Sequence, residues 1–290
     1  KIVLTGTTGG LGSRVLHHLL PLVPPSSLTL SLSRPPASPT HPSGCPLVHG
    51  DFSQPSTLDR AFSGAARLLL VSSPGIAHHT AAIDAAKRAG VAHVFYTSLA
   101  FAGGRDKTES ATAVMQAHLD TEAYLKASGL TYTVVREGLY CESWPLYLGF
   151  WQPSNASDEI VVPGDGGIAW IARDDLGAAT AKLIAEGSHE NETVLLTGQR
   201  ALTLAQLTPV LASLLSRPRL RLSVASADEY VARNVDPADA RRTDGFLRAW
   251  ARTYEGLERG EAAVVDPLVV ELLGREPRSM EAYLRETLLE

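Results

Sequence analysis

The chain has 290 residues, of which 44% are hydrophobic and 20% are charged, and this composition is typical of folded globular proteins rather than disordered or fibrous ones. Its formal net charge of −5 offers no dominant basic surface to a nucleic acid. Two cysteines are too few for a disulfide framework, and no apolar run is long enough to span a membrane. We therefore expect a cytoplasmic protein that binds neither nucleic acid nor membrane.

The first half of the chain alternates short apolar runs with segments of helical period, which predicts a parallel sheet covered by helices on both faces. Buried parallel strands have continuous apolar sequences, and such runs occur at 2–4, 28–32, 46–49, 67–71, 94–97 and 132–135. Helices are predicted at 11–20, 56–62, 77–89 and 111–127. The predicted fold is therefore α/β, with a Rossmann doubly wound parallel sheet.

After residue 136 the pattern changes, and we expect a smaller C-terminal α/β substrate lobe. A helix at 176–185 and strands at 194–197 and 220–224 are predicted. The predicted Rossmann domain covers 1–138 plus 169–198, and the predicted lobe covers 139–168 plus 199–290. Ser56 and Asp175 are placed to cap helices, and Gly90 and Gly129 to end them.

A glycine-rich loop follows the first predicted strand and leads directly into a helix. Gly6 permits a tight turn, Gly9 lets the backbone approach a pyrophosphate, and Gly12 allows close contact between helix and strand. The helix N-terminus supplies free N–H groups to a diphosphate, although a plain strand-to-helix turn is the alternative. The expected cofactor contacts in this loop are Gly6, Thr8, Gly9, Gly10, Leu11 and Gly12.

The end of the second strand favours NADP(H) over NAD(H). No Asp or Glu occurs between Ser13 and Gly50, so the carboxylate that usually binds the adenosine ribose in an NAD site is missing. Arg34 stands there instead, and its guanidinium can pair with a 2′-phosphate. The alternative is a solvated loop residue.

Other cofactor contacts are expected at the carboxyl ends of further strands, which face the same crevice in a doubly wound sheet. Asp51 is placed to bond the adenine amino group, or else serves only as a turn residue. The full expected set at these strand ends is Asp51, Phe52, Ser72, Ser73, Pro74, Thr97 and Ser98.

These motifs together resemble the NmrA-like atypical short-chain dehydrogenases, and within them the type 2 NAD(P)H:quinone oxidoreductase group. The resemblance extends to about Thr197 and rests on these segments: TGTTGGLG at 5–12, Arg34, GDF at 50–52, LVSS at 70–73, FYTS at 95–98, HLDTE at 118–122, TVVREG at 133–138 and RDD at 173–175. It implies a Rossmann domain with a small substrate lobe, NADPH as cofactor, and cofactor contacts at the loop, Arg34, Asp51, Ser72 and Ser98. Gly10 departs from the family, which commonly carries a larger or polar residue there.

The expected catalytic residues are His118 and Tyr140. None of the eight tyrosines is followed four positions later by lysine, so the proton donor of ordinary short-chain dehydrogenases is missing. His118, where several NmrA-like enzymes carry a lysine, is placed to bind the nicotinamide ribose or to protonate a product. The alternative is a surface histidine paired with Glu122. Tyr140 is placed to donate a hydrogen bond to a substrate carbonyl, or else belongs to the lobe core with Trp144, Tyr147 and Trp151.

No metal site is expected, because the candidate set of His41, Cys45 and His49 lies among prolines and offers only three ligands. The adjacent histidines 78 and 79 are expected to be surface or packing residues.

The leading function is an NADPH-dependent reductase that passes hydride to a conjugated, apolar small molecule such as a quinone or an enone. One alternative is a non-catalytic NADP(H)-binding redox sensor that acts through a protein partner. Another is an isomerase or dehydratase that retains its cofactor. A homodimer is compatible with the sequence, which does not fix the oligomeric state.

Overall fold

The computed structural model describes residues 1–73 and 76–289. Seven strands form one parallel sheet in the order β3-β2-β1-β4-β5-β6-β8. The strands are β1 (Ile2–Thr5), β2 (Leu28–Leu32), β3 (Leu47–His49), β4 (Arg67–Val71), β5 (His93–Leu99), β6 (Thr131–Glu137) and β8 (Glu192–Leu196). This order is that of the doubly wound Rossmann sheet, so the predicted fold class is confirmed.

Helices cover both faces of the sheet. One layer contains α1 (Gly10–Leu19) and α6 (Arg173–Glu186), which pack closely together against the apolar side chains of the central strands. The opposite layer contains α2 (Leu58–Phe62), α3 (Ile76–Arg88) and α4 (Ala113–Ala127). Gly90 and Gly129 follow α3 and α4 with φ of +69° and +82°, as expected of residues that end helices.

Most of the remaining elements form a smaller lobe around a second small sheet, in which β7 (Glu159–Val162) pairs in parallel with β9 (Arg221–Val224). The lobe helices are α5 (Trp144–Tyr147), α7 (Leu204–Leu214), α8 (Ala227–Asn234), α9 (Asp244–Ala251), α10 (Thr253–Glu258) and α12 (Met280–Leu289). The sequence did not predict β7. Helix α11 (Leu268–Leu273) falls in the range predicted for the lobe but packs against α6 and β8 of the main sheet. None of the helices in 1–73 and 76–289 combines the length and hydropathy that a membrane crossing requires.

Two predicted helix caps are wrong. Helix α6 begins at Arg173 after the N-cap Ala172, so Asp175 lies inside its first turn. The Asp175 carboxylate instead accepts hydrogen bonds from the Arg275 side chain and the Arg278 backbone N–H, which attaches the C-terminal segment to α6. Ser56 lies within a short 3₁₀ turn that precedes α2, and it does not cap that helix.

A buried ion pair joins α4 to β6. Glu122 and Arg136 have side chains that are only 2% and 1% exposed, and the guanidinium donates two hydrogen bonds, of 2.9 and 2.8 Å, to the carboxylate. The same guanidinium donates to the carbonyl oxygens of Gly104 and Lys107 in the loop after β5. Ser98 Oγ donates to the Glu122 carboxylate at 2.6 Å. Four guanidinium N–H groups and both carboxylate oxygens are thus hydrogen-bonded, which offsets the burial of the two charges.

We expect Arg136→Leu to lower the free energy of unfolding by about 3–5 kcal/mol, because it leaves a buried carboxylate without its guanidinium partner. Urea denaturation followed by circular dichroism measures the loss. Arg88→Leu is the matched control, since Arg88 and its partner Asp59 are each 52% exposed. The control substitution should lower the free energy of unfolding by less than about 1 kcal/mol. Equal losses in the two variants would contradict the importance of the buried pair.

Candidate active site

The site begins where the strand order reverses, between β1 and β4. Thr5 Oγ1 accepts a hydrogen bond from Val71 N at 2.9 Å and donates one to Leu69 O at 3.0 Å, so one side chain fastens the two strands together. The next residue, Gly6, has φ of +66°, and a Cβ there would lie 2.7 Å from Val71 Cβ. Only glycine satisfies both conditions, and the chain turns here into the predicted loop.

The loop after Gly6 presents backbone rather than side chains. Gly9 N donates to Gly6 O at 2.9 Å, and Gly9 is the N-cap of α1. Gly12 passes so close to the Gly6 carbonyl that a Cβ could not fit between them. The first N–H groups of α1 have no partner within the helix, and they form the positive end of its dipole. This is the geometry that binds a diphosphate.

A cavity of about 220 Å³ lies beside this loop. Six of the predicted cofactor contacts line it, namely Gly6, Thr8, Asp51, Phe52, Ser72 and Ser73. The hydroxyl oxygens of Ser31 and Ser73, which also line it, are buried and have no hydrogen-bond partner among the described residues. Buried polar atoms are normally paired, so both hydroxyls are available to a polar ligand. The loop and the cavity therefore fit a dinucleotide.

Two of the predicted adenosine contacts differ in how the protein holds them. The Asp51 carboxylate accepts hydrogen bonds from Ser53 N and Ser53 Oγ, which lower its pKa, and from the Gln54 side chain. These are the contacts of a turn residue. Arg34 follows the cavity-lining Ser33 at the end of β2 and is exposed, and within the described residues its side chain makes no hydrogen bond or ion pair. Pro74 lies outside the described residues.

A second cavity, of about 240 Å³, adjoins the first and shares Ser72 with it. Thr97 Oγ1 accepts a hydrogen bond from Ser72 N at 3.0 Å where the two cavities meet. Four residues predicted from three different segments line this second cavity together: Thr97, Ser98, His118 and Tyr140. Its remaining wall is mainly apolar and contains Leu99, Val114, Leu139, Leu146, Tyr147 and Trp250.

Tyr140 is positioned by backbone pairing beyond the end of β6. Cys141 N donates to Ile171 O at 2.9 Å, and Ile171 N donates to Leu139 O at 3.1 Å. Burial raises the pKa of the Tyr140 phenol, which therefore stays protonated. No described residue bonds its hydroxyl, which is not among the buried unpaired atoms, so it is open to the cavity. The neighbouring Trp144, Tyr147 and Trp151 are buried in the lobe core, as one of the two interpretations predicted.

His118 is half-buried and does not pair with Glu122, so the predicted alternative of a surface pair is wrong. Its Nδ1 lies 2.9 Å from the Tyr96 hydroxyl, whereas Glu122 pairs with Arg136. Burial, and then the neighbouring His79, lower the pKa of His118 to about 4, and the charge of Glu122 opposes them only in part. His118 is therefore neutral at neutral pH, and a titration near pH 6.5 is not expected of it.

Arg173 is a candidate phosphate contact that sequence reasoning left unassigned. One of its guanidinium nitrogens occupies the space in which a Cβ of residue 10 would lie. The guanidinium stacks over the Tyr140 ring, with its carbon 5.3 Å from the ring centroid, and its Nε is 3.6 Å from the Glu142 carboxylate. The missing side chain of Gly10 thus makes room for a cation at the N-terminus of α1. The only signal for Arg173 in the sequence is the segment at 173–175, which contributes to the family resemblance.

Glu137 is a second residue that the sequence did not single out. It lies at the end of β6, lines the second cavity and is almost completely buried. Its Oε1 accepts a hydrogen bond from Thr180 Oγ1 at 2.9 Å, while Oε2 has no partner among the described residues. Burial raises the pKa of Glu137 to about 8. In the sequence it looks like any polar residue at the end of a strand.

This pKa predicts a specific loss of stability as pH rises. Between about pH 4.5 and 8 the unfolded chain has released the Glu137 proton while the folded protein keeps it, so this contribution to stability decreases with pH. Glu137→Gln imitates the protonated side chain and should remove that dependence. We expect the difference in melting temperature, variant minus wild type, to be larger at about pH 8 than at about pH 5.

The matched control is Glu109→Gln, since Glu109 is exposed. Its melting temperature should differ from that of the wild type by the same amount at both pH values. Wild-type and Glu137→Gln curves that run parallel would show that Glu137 ionises normally in the folded protein.

The chain is similar to NAD(P)H-binding proteins and, among individual relatives, to named oxidoreductases. A family model described as NAD(P)H-binding matches residues 6–186. An NmrA-like family domain-containing oxidoreductase, flvB of Aspergillus flavus, is 35% identical over 301 residues, which cover 100% of this chain and 95% of that protein. Quinone oxidoreductase 2 of Escherichia coli is 35% identical over 213 residues, which cover 71% of each chain.

Solved structures agree over the full length of the chain. The Escherichia coli NADPH-dependent quinone oxidoreductase, solved with NADPH, superposes with a TM-score of 0.84 at 28% identity and covers 100% of both chains. A triphenylmethane reductase of Citrobacter sp. superposes with a TM-score of 0.85 at 28% identity, again over 100% of both chains. The similarity thus includes the C-terminal lobe, where the sequence resemblance was weakest.

Proposed function

The chain belongs to the NAD(P)H-binding family and, within it, to the NmrA-like oxidoreductases, and from this premise we propose that it is an NADPH-dependent reductase that transfers hydride to a conjugated acceptor, a quinone or an enone. One observation carries the proposal. The second cavity adjoins the first cavity, which fits a dinucleotide, at Ser72. The uncharged side chains of Tyr140 and His118 lie within its mainly apolar wall. A cavity of this kind suits a flat apolar molecule that carries a few oxygen atoms.

The relatives support a conjugated acceptor. One is named a quinone oxidoreductase, and another reduces triphenylmethane dyes, and both kinds of acceptor are extended conjugated systems. Leu99, Leu139 and Tyr147 supply apolar surface against which such a system can pack. The side chain of Trp250, contributed by α9 of the lobe, forms part of the same wall.

The NADPH would be held by the residues of the first cavity and by the helix N-terminus and two arginines outside its lining. The N-terminus of α1, with the guanidinium of Arg173 above Gly10, suits the diphosphate. Arg34 suits the 2′-phosphate because it is exposed at the end of β2 with no ion pair of its own among the described residues. When bound, the reduced nicotinamide supplies the hydride.

The residues of the second cavity would stabilise the charge that develops on the acceptor. Tyr140 keeps its proton and can donate a hydrogen bond to an oxygen that becomes negative. His118 is neutral and can place a second donor at the same cavity. A conjugated acceptor spreads the negative charge, so it depends less on a tyrosine–lysine acid, which this chain does not have.

We expect NADPH to bind at least about tenfold more tightly than NADH, which corresponds to about 1.4 kcal/mol. Arg34→Ala should raise the Kd for NADPH and leave that for NADH nearly unchanged, because only NADPH carries the 2′-phosphate. Isothermal calorimetry measures both values. Arg285→Ala, at an exposed position on α12, is the control and should change neither. An unchanged ratio in Arg34→Ala would remove Arg34 from the proposed site.

Turnover is tested by NADPH oxidation with quinones, enones, imines and aldehydes. With the best acceptor, Tyr140→Phe should lower kcat by about 10²–10³-fold, the typical effect of removing one well-aligned donor to a developing oxyanion. The affinity for NADPH should stay the same. Tyr124→Phe, a 40% exposed tyrosine on α4, is the matched control and should keep the wild-type rate.

The competing function is decided by the same measurements. Tight NADPH binding with no turnover of any acceptor would favour the redox sensor over the reductase. A wild-type kcat in Tyr140→Phe would leave the reductase in place and remove the phenol from the chemistry.

A further inference from the structure

A chain of hydrogen bonds runs from the backbone after β4 to the second cavity. It joins Ser73 N, in the loop after β4, to the side chains of His79 on α3, Tyr96 on β5 and His118 on α4. We propose that His79 is a positioning residue that acts through Tyr96 to hold His118 as the neutral tautomer with its proton on Nε2, so that the cavity receives a hydrogen-bond donor from α4. This inference rests on the proposed function, in which His118 contacts the acceptor or the nicotinamide end of NADPH.

The first bond of the chain fixes the proton on His79. Ser73 N lies 2.9 Å from His79 Nε2. A backbone N–H can only donate, so Nε2 must accept and carries no proton. Burial lowers the pKa of His79 and keeps the ring neutral, with its single proton on Nδ1.

The next hydrogen bonds determine the direction of the Tyr96 hydroxyl proton. His79 Nδ1 lies 3.0 Å from Thr121 Oγ1 and 3.3 Å from the Tyr96 hydroxyl, so it can donate to either. The Thr121 hydroxyl donates its own hydrogen bond to Ala117 O, at 2.9 Å. Tyr96 therefore cannot donate toward His79, and its shortest contact is His118 Nδ1, at 2.9 Å. The Tyr96 hydroxyl has two hydrogen-bond partners among the described side chains, His79 Nδ1 and His118 Nδ1. Since the first carries the His79 proton, the Tyr96 proton is directed to the second.

The last step places the proton of His118 at the cavity. Because Nδ1 accepts from Tyr96, a neutral His118 carries its proton on Nε2. No described residue bonds Nε2, and this atom is not among the buried unpaired ones, so it opens to the cavity that His118 lines. The cavity thus receives an N–H group, which suits a carbonyl or other lone-pair oxygen of the ligand.

The same chain opposes protonation of His118. An imidazolium would carry a second proton on Nδ1, directed at the hydroxyl proton of Tyr96. The other ionisable groups near His118 are His79 on α3, Tyr96 on β5, Glu122 on α4 with its partner Arg136, and Glu137 and Tyr140 across the cavity. Of the charged groups only Glu122 favours the imidazolium, and its charge is already paired with Arg136. Activity should therefore show no step from His118 around pH 6–7.

The direct test is the tautomer itself. In protein labelled with ¹⁵N at histidine, two-bond ¹H–¹⁵N correlation spectra at neutral pH should show His118 with its proton on Nε2 and His79 with its proton on Nδ1. Spectra of His79→Gln and His118→Gln assign the two rings. A His118 that is protonated on Nδ1, or charged, at neutral pH in the wild-type protein would overturn the proposal, whatever the variants do.

Two variants test the coupling. Tyr96→Phe keeps the ring but removes the hydroxyl, so His118 should become a mixture of tautomers, and kcat/KM for the acceptor should fall about tenfold. His79→Gln should shift the His118 signals in the same direction, although residue 79 does not line the cavity. His17→Gln, at an exposed position on α1, is the control and should leave the His118 spectrum and the rates unchanged. An unaltered His118 spectrum in both Tyr96→Phe and His79→Gln would refute the coupling.

The two proposals fail in distinguishable ways. The predicted tautomers could be found in the wild type and lost in Tyr96→Phe while the rates stay at the wild-type level. That result would support the chain of hydrogen bonds and contradict a role of His118 in the reaction. If His118 has the other tautomer while the acceptor is still reduced, the positioning role of His79 falls and the reductase stands.

Discussion

At their carboxyl ends β1 and β4 lie so close together that residue 6 has no room for a side chain. The Thr5 hydroxyl bonds twice to the backbone of β4, and Gly6 then turns with φ of +66° against Val71. The strand order reverses at this point, so the connections leave on opposite faces of the sheet and a crevice opens between them. This contact determines where the other parts of the site lie, namely the N-terminus of α1, the first cavity and the ends of β4, β5 and β6.

Burial decides the protonation states around the second cavity. It raises the pKa values of Tyr140 and Glu137 and lowers that of His118, so all three favour the uncharged form at neutral pH. The charge that remains buried nearby, on Glu122, is held by the guanidinium of Arg136. In the proposed reductase the acceptor would therefore meet uncharged side chains, while the buried charge of Glu122 stays paired with Arg136.

The parts of the fold that the sequence predicted depend on local patterns. Continuous apolar runs mark the parallel strands, and the glycines after β1 mark the loop, because each is confined to a few consecutive residues. Strand β7 was not predicted, although its apolar run at 160–162 is as long as that of β1, because it lies beyond the regular alternation of apolar runs and helical segments that marks the main sheet. The surroundings of His79 escaped prediction for a different reason. Its partners come from β5 and α4, so its sequence neighbours give no sign that it is buried.

The two walls of the second cavity differ in how firmly the rest of the protein holds them. On the sheet side, Ser98 and His118 belong to hydrogen-bond networks that extend into the core. On the lobe side, Leu146 and Trp250 contribute mainly apolar surface. Substitution on the sheet side breaks hydrogen bonds within the core, whereas substitution on the lobe side removes apolar packing. If the second cavity binds the acceptor as proposed, acceptor preference can change over evolutionary time through apolar substitutions in the lobe, without disturbing the hydrogen bonds of the nucleotide-binding half.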